Sequence, residues 1–377
     1  MEENATVATF GIPSRYGETF TNFFEKYELV VCSLMPQFDN KLLPKQDRVC
    51  RFCGKKFGET KFKNDSHLIP GMLGNNILLS DFECDLCNNF FGKTYESDLA
   101  NYLGLSRAIS FTKNKGKLSK YKSVGKSITV TPEKINGEDF IVISRENSED
   151  SSIISDPING RIIVNYIKHP YTPANIYRTF LKIALSGFPD KVVERDYKGA
   201  IDYLIGEKKI QLSGAVIFGY RGPHNLTRHP YFSIYVKKNM AEAIHSHFFV
   251  INFQDYILCL PVPFNKNDLG FYNSPIELIA YPPLVLQTPE LESMAFTEFF
   301  EDIGNEKRLS GEPGQLSITF DGSEMENSAT YDPNTGITER TPYNPSAIMK
   351  IAIMNSNTGI DLRSLTDILK RSENESY

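Results

Sequence analysis

Two Cys-x-x-Cys pairs, Cys50/Cys53 and Cys84/Cys87, constrain this chain more than any other feature. Each pair forms a tight knuckle offering two thiolates, and two knuckles about thirty residues apart complete a tetrahedral four-thiolate site of the kind that holds structural zinc. The intervening chain must then fold back on itself. The metal stiffens a loop-rich stretch that buries too little apolar surface to fold alone. A closed four-cysteine site has no place for a fifth ligand. His67, in the run Ser66-His67-Leu68-Ile69-Pro70, is therefore not spent on that metal. The remaining cysteines, Cys32 in LVVCSL and Cys259 in YILCLP, sit in apolar surroundings and read as buried thiols. No apolar run is long enough to span a bilayer, and the first residues, MEENATVATFGIP, are acidic and polar. A cytoplasmic location is expected, with metal-binding thiols rather than disulfides.

With 377 residues there is room for a small module and a larger domain, and 41% hydrophobic with 23% charged residues is the balance of an ordinary globular chain. A net charge of −5 excludes a general polycation, so contact with nucleic acid needs a local basic patch. One follows the cysteine stretch: RAISFTKNKGKLSKYKSVGKSITV carries Arg107, Lys113, Lys115, Lys117, Lys120, Lys122 and Lys126. Two readings stand. The lysines keep a hairpin soluble, or they neutralise backbone phosphates and release counterions.

Residues 1–49 read as an extension with a helix near Thr19–Tyr27, and 50–105 as the metal module. Residues 106–310 read as an α+β domain and 311–377 as a partly flexible C-terminal segment. Within the module a short strand is expected at KFKNDSHLIP. A helix from Asp85 to about Leu103 follows from the spacing of Leu86, Phe90, Tyr95, Leu99, Tyr102 and Leu103. Strand, loop, strand and helix around a metal form a ββα arrangement. In YTPANIYRTFLKIAL, Thr172 is the expected cap, Pro173 the first helical residue and Ile176, Phe180, Ile183 and Ala184 the apolar stripe. A further helix is expected at Tyr197–Ile205. The runs SITVTP, DFIVISR, RIIVNYIK, SGAVIFGY, YFSIYVKK, HFFVINF, YILCLPVP and ELIAYPPLVL read as strands of a mostly antiparallel sheet. An apolar patch at Ala347–Met354 and a short helix near Leu362–Leu369 complete the expected elements. His245 and His247, two apart, could line one face of a strand, although such pairs are more often edge groups of a core. The loop RGPHNLTRHP reads as solvent-facing.

Taken together, CRFC, the SHLIP run with His67, ECDLCNNFFG and Glu96 resemble the HNH (His-Me finger, ββα-metal) endonucleases that carry a four-cysteine structural zinc. The resemblance covers about fifty residues. It implies a metal-dependent hydrolase of phosphodiester bonds in DNA, with His67 as general base and a hard divalent ion, Mg²⁺ or Mn²⁺, distinct from the zinc. A neutral imidazole suits proton removal from water at physiological pH. Asn88 matches the family's terminal asparagine or histidine ligand. Ser66, with Asp65 beside it, stands where the family commonly has an acidic or histidine ligand. Asn75, Asn76 and Asp81 are all candidates for the asparagine that braces the histidine loop. Asn88, Gly92 and Glu96 follow at four-residue steps, which puts Asn88 and Glu96 on one helix face and makes Glu96 the candidate acidic ligand. Lys113, Lys115, Lys117, Lys120 and Lys122 are the nucleic-acid candidates. The resemblance further implies a role in bacterial defence against phage or foreign DNA, and a homodimer where both strands are cut. Two alternatives are a zinc knuckle that grips nucleic acid without cutting, and an HNH effector gated by a cyclic oligonucleotide or by a partner protein through the C-terminal domain.

Overall fold

The computed structural model describes residues 9–34, 42–135, 138–146, 151–156, 159–206, 215–223, 226–271, 277–319, 329–331, 338–340 and 350–354. Six α-helices organise the description: α1 (Gly17–Lys26), α2 (Asp85–Phe91), α3 (Ser97–Ile109), α4 (Pro173–Gly187), α5 (Asp190–Asp196) and α6 (Lys198–Leu204). The chain divides into two compact units, each drawn from two segments. One comprises residues 1–100 and 171–309, the other 101–170 and 310–377. The sequence suggests a linear order of extension, module, domain and tail, whereas both units are assembled across long gaps in the chain.

The first unit is built on a six-stranded sheet. From edge to edge its order is Thr297–Asp302, Val216–Arg221, Tyr256–Pro261, His247–Gln254, Thr227–Lys237 and Tyr27–Cys32. Every neighbour in it is antiparallel. The strand–helix alternation of a Rossmann-like nucleotide sensor is therefore absent among the described residues. The N-terminal residues are more than an extension, because Tyr27–Cys32 forms one edge of this sheet. α1 leads into it through Phe23, whose ring centroid lies 4.9 to 5.2 Å from those of Tyr27, Tyr235, Phe248 and Tyr281. Both lone cysteines are buried in this unit, as their surroundings suggest.

α4 is the expected helix, with Pro173 at its start, but nearly all of it is buried rather than one stripe. A helix covered on all sides must be packed on all sides. Its Tyr177 hydroxyl donates to the Pro261 carbonyl at 3.3 Å, and Phe180 faces Phe253 at 6.0 Å. At its end a Cβ on Gly187 would lie 2.4 Å from the Phe232 ring, so only glycine allows this approach to the sheet. The Thr172 side chain makes no capping bond. Instead its backbone N–H donates to Asp98 at 3.1 Å, and Asn175 donates to the same carboxylate at 2.7 Å. α6 matches the expected second helix, whereas α5 was masked in the sequence by the Gly-Phe-Pro break before it.

The run ELIAYPPLVL does not form a continuous strand. Only Val285–Leu286 pairs, with Phe10–Gly11, because Pro282 and Pro283 cannot donate to a ladder. In the second unit Tyr121–Lys122, Ile128–Ile135, Glu138–Arg145 and Lys350–Met354 form a four-stranded sheet. Ile153–Asp156, Arg161–Ile167 and Pro313–Thr319 form a three-stranded one. Within the apolar patch expected at Ala347–Met354, the described residues Lys350–Met354 form a strand paired with Glu138–Arg145. The helix expected at Leu362–Leu369 lies outside the described residues.

Candidate active site and metal centre

The four thiols of Cys50, Cys53, Cys84 and Cys87 meet, with all Sγ atoms within 4.8 Å of one another. The Cys53 and Cys84 Sγ atoms are 3.8 Å apart. A tetrahedral ion with thiolate bonds of about 2.3 Å separates its sulfurs by roughly 3.8 Å, so the spacing fits a metal such as zinc. Crowding spreads the thiol acidities. A hydrogen bond from the Cys87 thiol pulls Cys50 down to about 5, burial pushes Cys53 up to about 11, and Cys87 is raised by its bond to Cys50. The first knuckle is pinned by backbone bonds, Cys50 N–H to the Lys55 carbonyl and Gly54 N–H to the Cys50 carbonyl. Between its cysteines, Arg51 stacks 3.6 Å from the Phe82 ring centroid. The same guanidinium donates to the Leu185 and Ser186 carbonyls at the end of α4 and pairs with Asp190.

The second knuckle opens α2. Asp85 in its first turn accepts the backbone N–H groups of Lys63 and Asn64 at 3.1 and 3.2 Å. That bond pair holds the chain just before the expected strand, which is Ser66–His67, antiparallel to Leu79–Ser80. Asn75 is buried and braces the intervening loop. Its amide donates to the Ile69 and Leu78 carbonyls at 2.7 and 2.8 Å, and its Oδ1 accepts from Ile77 and Leu78 N–H at 3.1 and 2.9 Å. Asn76 is exposed, and Asp81 accepts from Leu43 N–H at 2.7 Å. Of the three loop candidates, the structure gives the bracing bonds to Asn75.

His67 is half-buried and Asn88 half-buried on α2. Ser66 is turned inward, its hydroxyl 3.4 Å from the Glu83 carbonyl. Asp65 pairs with Arg48 at 2.8 Å. After α2 the helix continues as a π segment, Gly92–Glu96, before α3. Hydroxyls take up carbonyls where the ladder widens: Thr94 donates to Phe90 at 2.6 Å and Ser97 to Lys93 at 2.8 Å. In an unbroken α-helix the eight steps from Asn88 to Glu96, at about 100° each, leave Glu96 about 80° round from Asn88. The π segment between them changes that angle. Gly92, an objection to a helix, is where that segment begins.

Two groups were not singled out in the sequence. Lys182 of α4 is buried, with its ammonium 2.9 Å from Glu83 Oε2 and 4.0 Å from Glu96 Oε1. It donates to the His67 carbonyl at 3.2 Å. Glu83 is wholly buried, which pushes its carboxyl up to about 7 against the pull of Lys182. Burial raises Glu96 as well. Burial alone would lower the Lys182 ammonium, but Glu83 and Glu96 outweigh it and hold it above its ordinary value. Lys182 lies off the apolar stripe of Ile176, Phe180, Ile183 and Ala184, so nothing local marked it for burial.

The lysine patch is the expected exposed hairpin, Lys113–Asn114 with Lys117–Leu118, turned at Lys115-Gly116 with φ of 50° and 78°. Lys115, Lys117, Lys120 and Lys122 are exposed, while Lys113 pairs with Asp139 at 2.6 Å. His245 and His247 do not form a metal pair. The His247 Nδ1 lies 2.7 Å from the Tyr197 hydroxyl, and burial takes its imidazole down to about 4. His245 faces Asp268 at 4.0 Å. Within RGPHNLTRHP, Arg221 pairs with Asp255 at 2.6 Å, and His224 lies outside the described residues.

With this geometry in hand, comparison with known proteins defines the class. Residues 50–103 match the family model described as HNH endonuclease. The chain thus carries an HNH module with a four-cysteine cluster, set within a mixed α/β fold. No curated protein and no solved structure matches the chain. No helix among the described residues is long and apolar enough to cross a membrane.

Proposed function

We propose that this protein is a metal-dependent endonuclease that hydrolyses phosphodiester bonds in DNA. The observation that carries the reading is the match of residues 50–103 to HNH endonucleases, with His67 on the hairpin strand whose loop Asn75 braces. The four cysteines hold zinc as a structural ion, the donor set being all thiolate. Oxygen donors for a second, hard cation come from Asn88 on α2 and Glu96 at the end of the π segment. Bound there, Mg²⁺ or Mn²⁺ supplies charge neutralisation at the phosphate and the leaving oxygen.

The chain's own contribution is positional. His67 takes the proton of the attacking water through its imidazole. The Asp85 and Asn75 bonds fix its strand, so the ring need not reorganise during reaction. Lys115, Lys117, Lys120 and Lys122 contact backbone phosphates on the second unit's exposed hairpin, and Lys113 does so only by leaving Asp139.

The test is cleavage of plasmid DNA with Mg²⁺ or Mn²⁺ by wild type and His67→Ala. Loss of a general base lowers the rate by about 10²–10⁴-fold. A His67→Ala protein that cuts at the wild-type rate removes the catalytic assignment. Binding without cutting by both proteins supports the non-cleaving knuckle instead.

A further inference from the structure

Lys182 lies outside the residues that match the HNH module, yet its ammonium ends inside it. Three groups of that module meet it: the Glu83 carboxylate at 2.9 Å, the His67 carbonyl at 3.2 Å and the Glu96 carboxylate at 4.0 Å. Only Glu96 of the three charged side chains reaches solvent, with 22% of its side chain exposed against 0% for Glu83 and 1% for Lys182. Both Glu83 carboxylate oxygens are buried and make no hydrogen bond among the described residues, so the contact with Lys182 is an ion pair. Two carboxylates share one ammonium, and the ammonium sits on the buried one.

We infer that Glu83 and Lys182 are positioning residues that keep Glu96 available as a ligand for a divalent cation. This rests on the nuclease reading given above. A lysine buried against one carboxylate alone would pair with it fully and cancel its charge. Here Glu83 takes that role. The ammonium is held a step short of Glu96, and the unbalanced negative charge is left on the solvent-facing carboxylate. The same ammonium ties the His67 strand to the helical side of the site through the His67 carbonyl. A cation at Glu96 and the imidazole at His67 are thereby referred to a single fixed point on α4. The nuclease module is completed by a helix that the chain supplies about eighty residues later.

A double-mutant cycle tests this. The readout is Mn²⁺ binding to the zinc-loaded protein, followed by electron paramagnetic resonance without DNA. In Glu83→Gln the ammonium has only Glu96 to pair with, so the Mn²⁺ dissociation constant rises by on the order of tenfold. Adding Lys182→Met to Glu83→Gln removes the competing charge and returns the affinity toward wild type. A purely structural pair gives no such recovery, since the double variant is then no better than the single. Glu96→Gln, at a partly exposed position, weakens Mn²⁺ binding even if the buried variants fail to fold. Wild-type affinity in Glu96→Gln or in Glu83→Gln overturns the inference, as does a double variant that stays as weak as Glu83→Gln. If those variants bind Mn²⁺ normally while cleavage still depends on His67, the positioning role fails and the nuclease reading stands. If cleavage does not depend on His67, the nuclease reading fails on its own measurement.

Discussion

Asn75 illustrates how much one side chain can carry in a module this small. Its amide satisfies two carbonyls and its oxygen two N–H groups, within a loop whose Leu68, Ile69, Leu73 and Leu78 are also buried. Asn75→Ala removes four hydrogen bonds, of which the Leu78 carbonyl keeps a partner in the Leu68 N–H, and costs about 2–4 kcal/mol, each buried orphan being worth about 1–3. Chemical denaturation reads the loss, and zinc content is expected to stay near one ion per chain because the four thiols lie elsewhere. The four cysteines were legible because their spacing is dictated by chemistry. Asn75 was only one of three candidates, since nothing local distinguishes an asparagine facing inward from one facing water. Lys182 and Glu83 were invisible for the opposite reason: their partners lie a hundred residues apart in the chain, and sequence periodicity reports only neighbours on the same helix.

Among elements, α4 decides most. Its start is fixed by Asp98, its end by Arg51 and by the closeness of Gly187 to Phe232, and its middle delivers Lys182. Gly187→Ala is expected to force the Phe232 ring or the helix end aside, at about 1–3 kcal/mol. A lower melting temperature with zinc still bound is the result to look for. The helix itself was readable from Thr172, Pro173 and the apolar stripe. Its near-total burial was not, because a stripe predicts one covered face and the second cover comes from the module. The π segment was equally hidden, for it needs no residue type of its own and shows only as a glycine and a few hydroxyls. At Gly104, where α3 takes φ of 50° and ψ of −122°, the helix breaks, because only glycine enters that region at little cost. The expected end near Leu103 falls one residue before this break.

For the whole molecule, the metal centre and the first unit should respond together. Arg51 sits between two zinc-site cysteines and holds the end of α4, so stripping the metal loosens more than the knuckles. Chelation is expected to release one zinc per chain and lower the melting temperature. It should also make four thiols reactive to a thiol reagent under native conditions. Cys32 and Cys259, both buried in the sheet, stay unreactive until the chain unfolds. Reactivity of all six at once would mean that the sheet cannot survive without the metal. The broad class, an HNH module beside an antiparallel sheet, was legible in the sequence. The two-segment make-up of each unit was not, since a boundary in the sequence does not report which distant segments pack together.

That make-up has a consequence in time. Translation at about 5–20 residues per second puts on the order of ten seconds between the emergence of Glu96 and that of Lys182. Throughout that interval the nascent module has its cysteines, its histidine and its acidic groups, but not the ammonium that pairs with Glu83 and Glu96. A cell making this protein therefore has a delay between synthesis of the HNH module and arrival of the helix that pairs with it, written into the order of the chain.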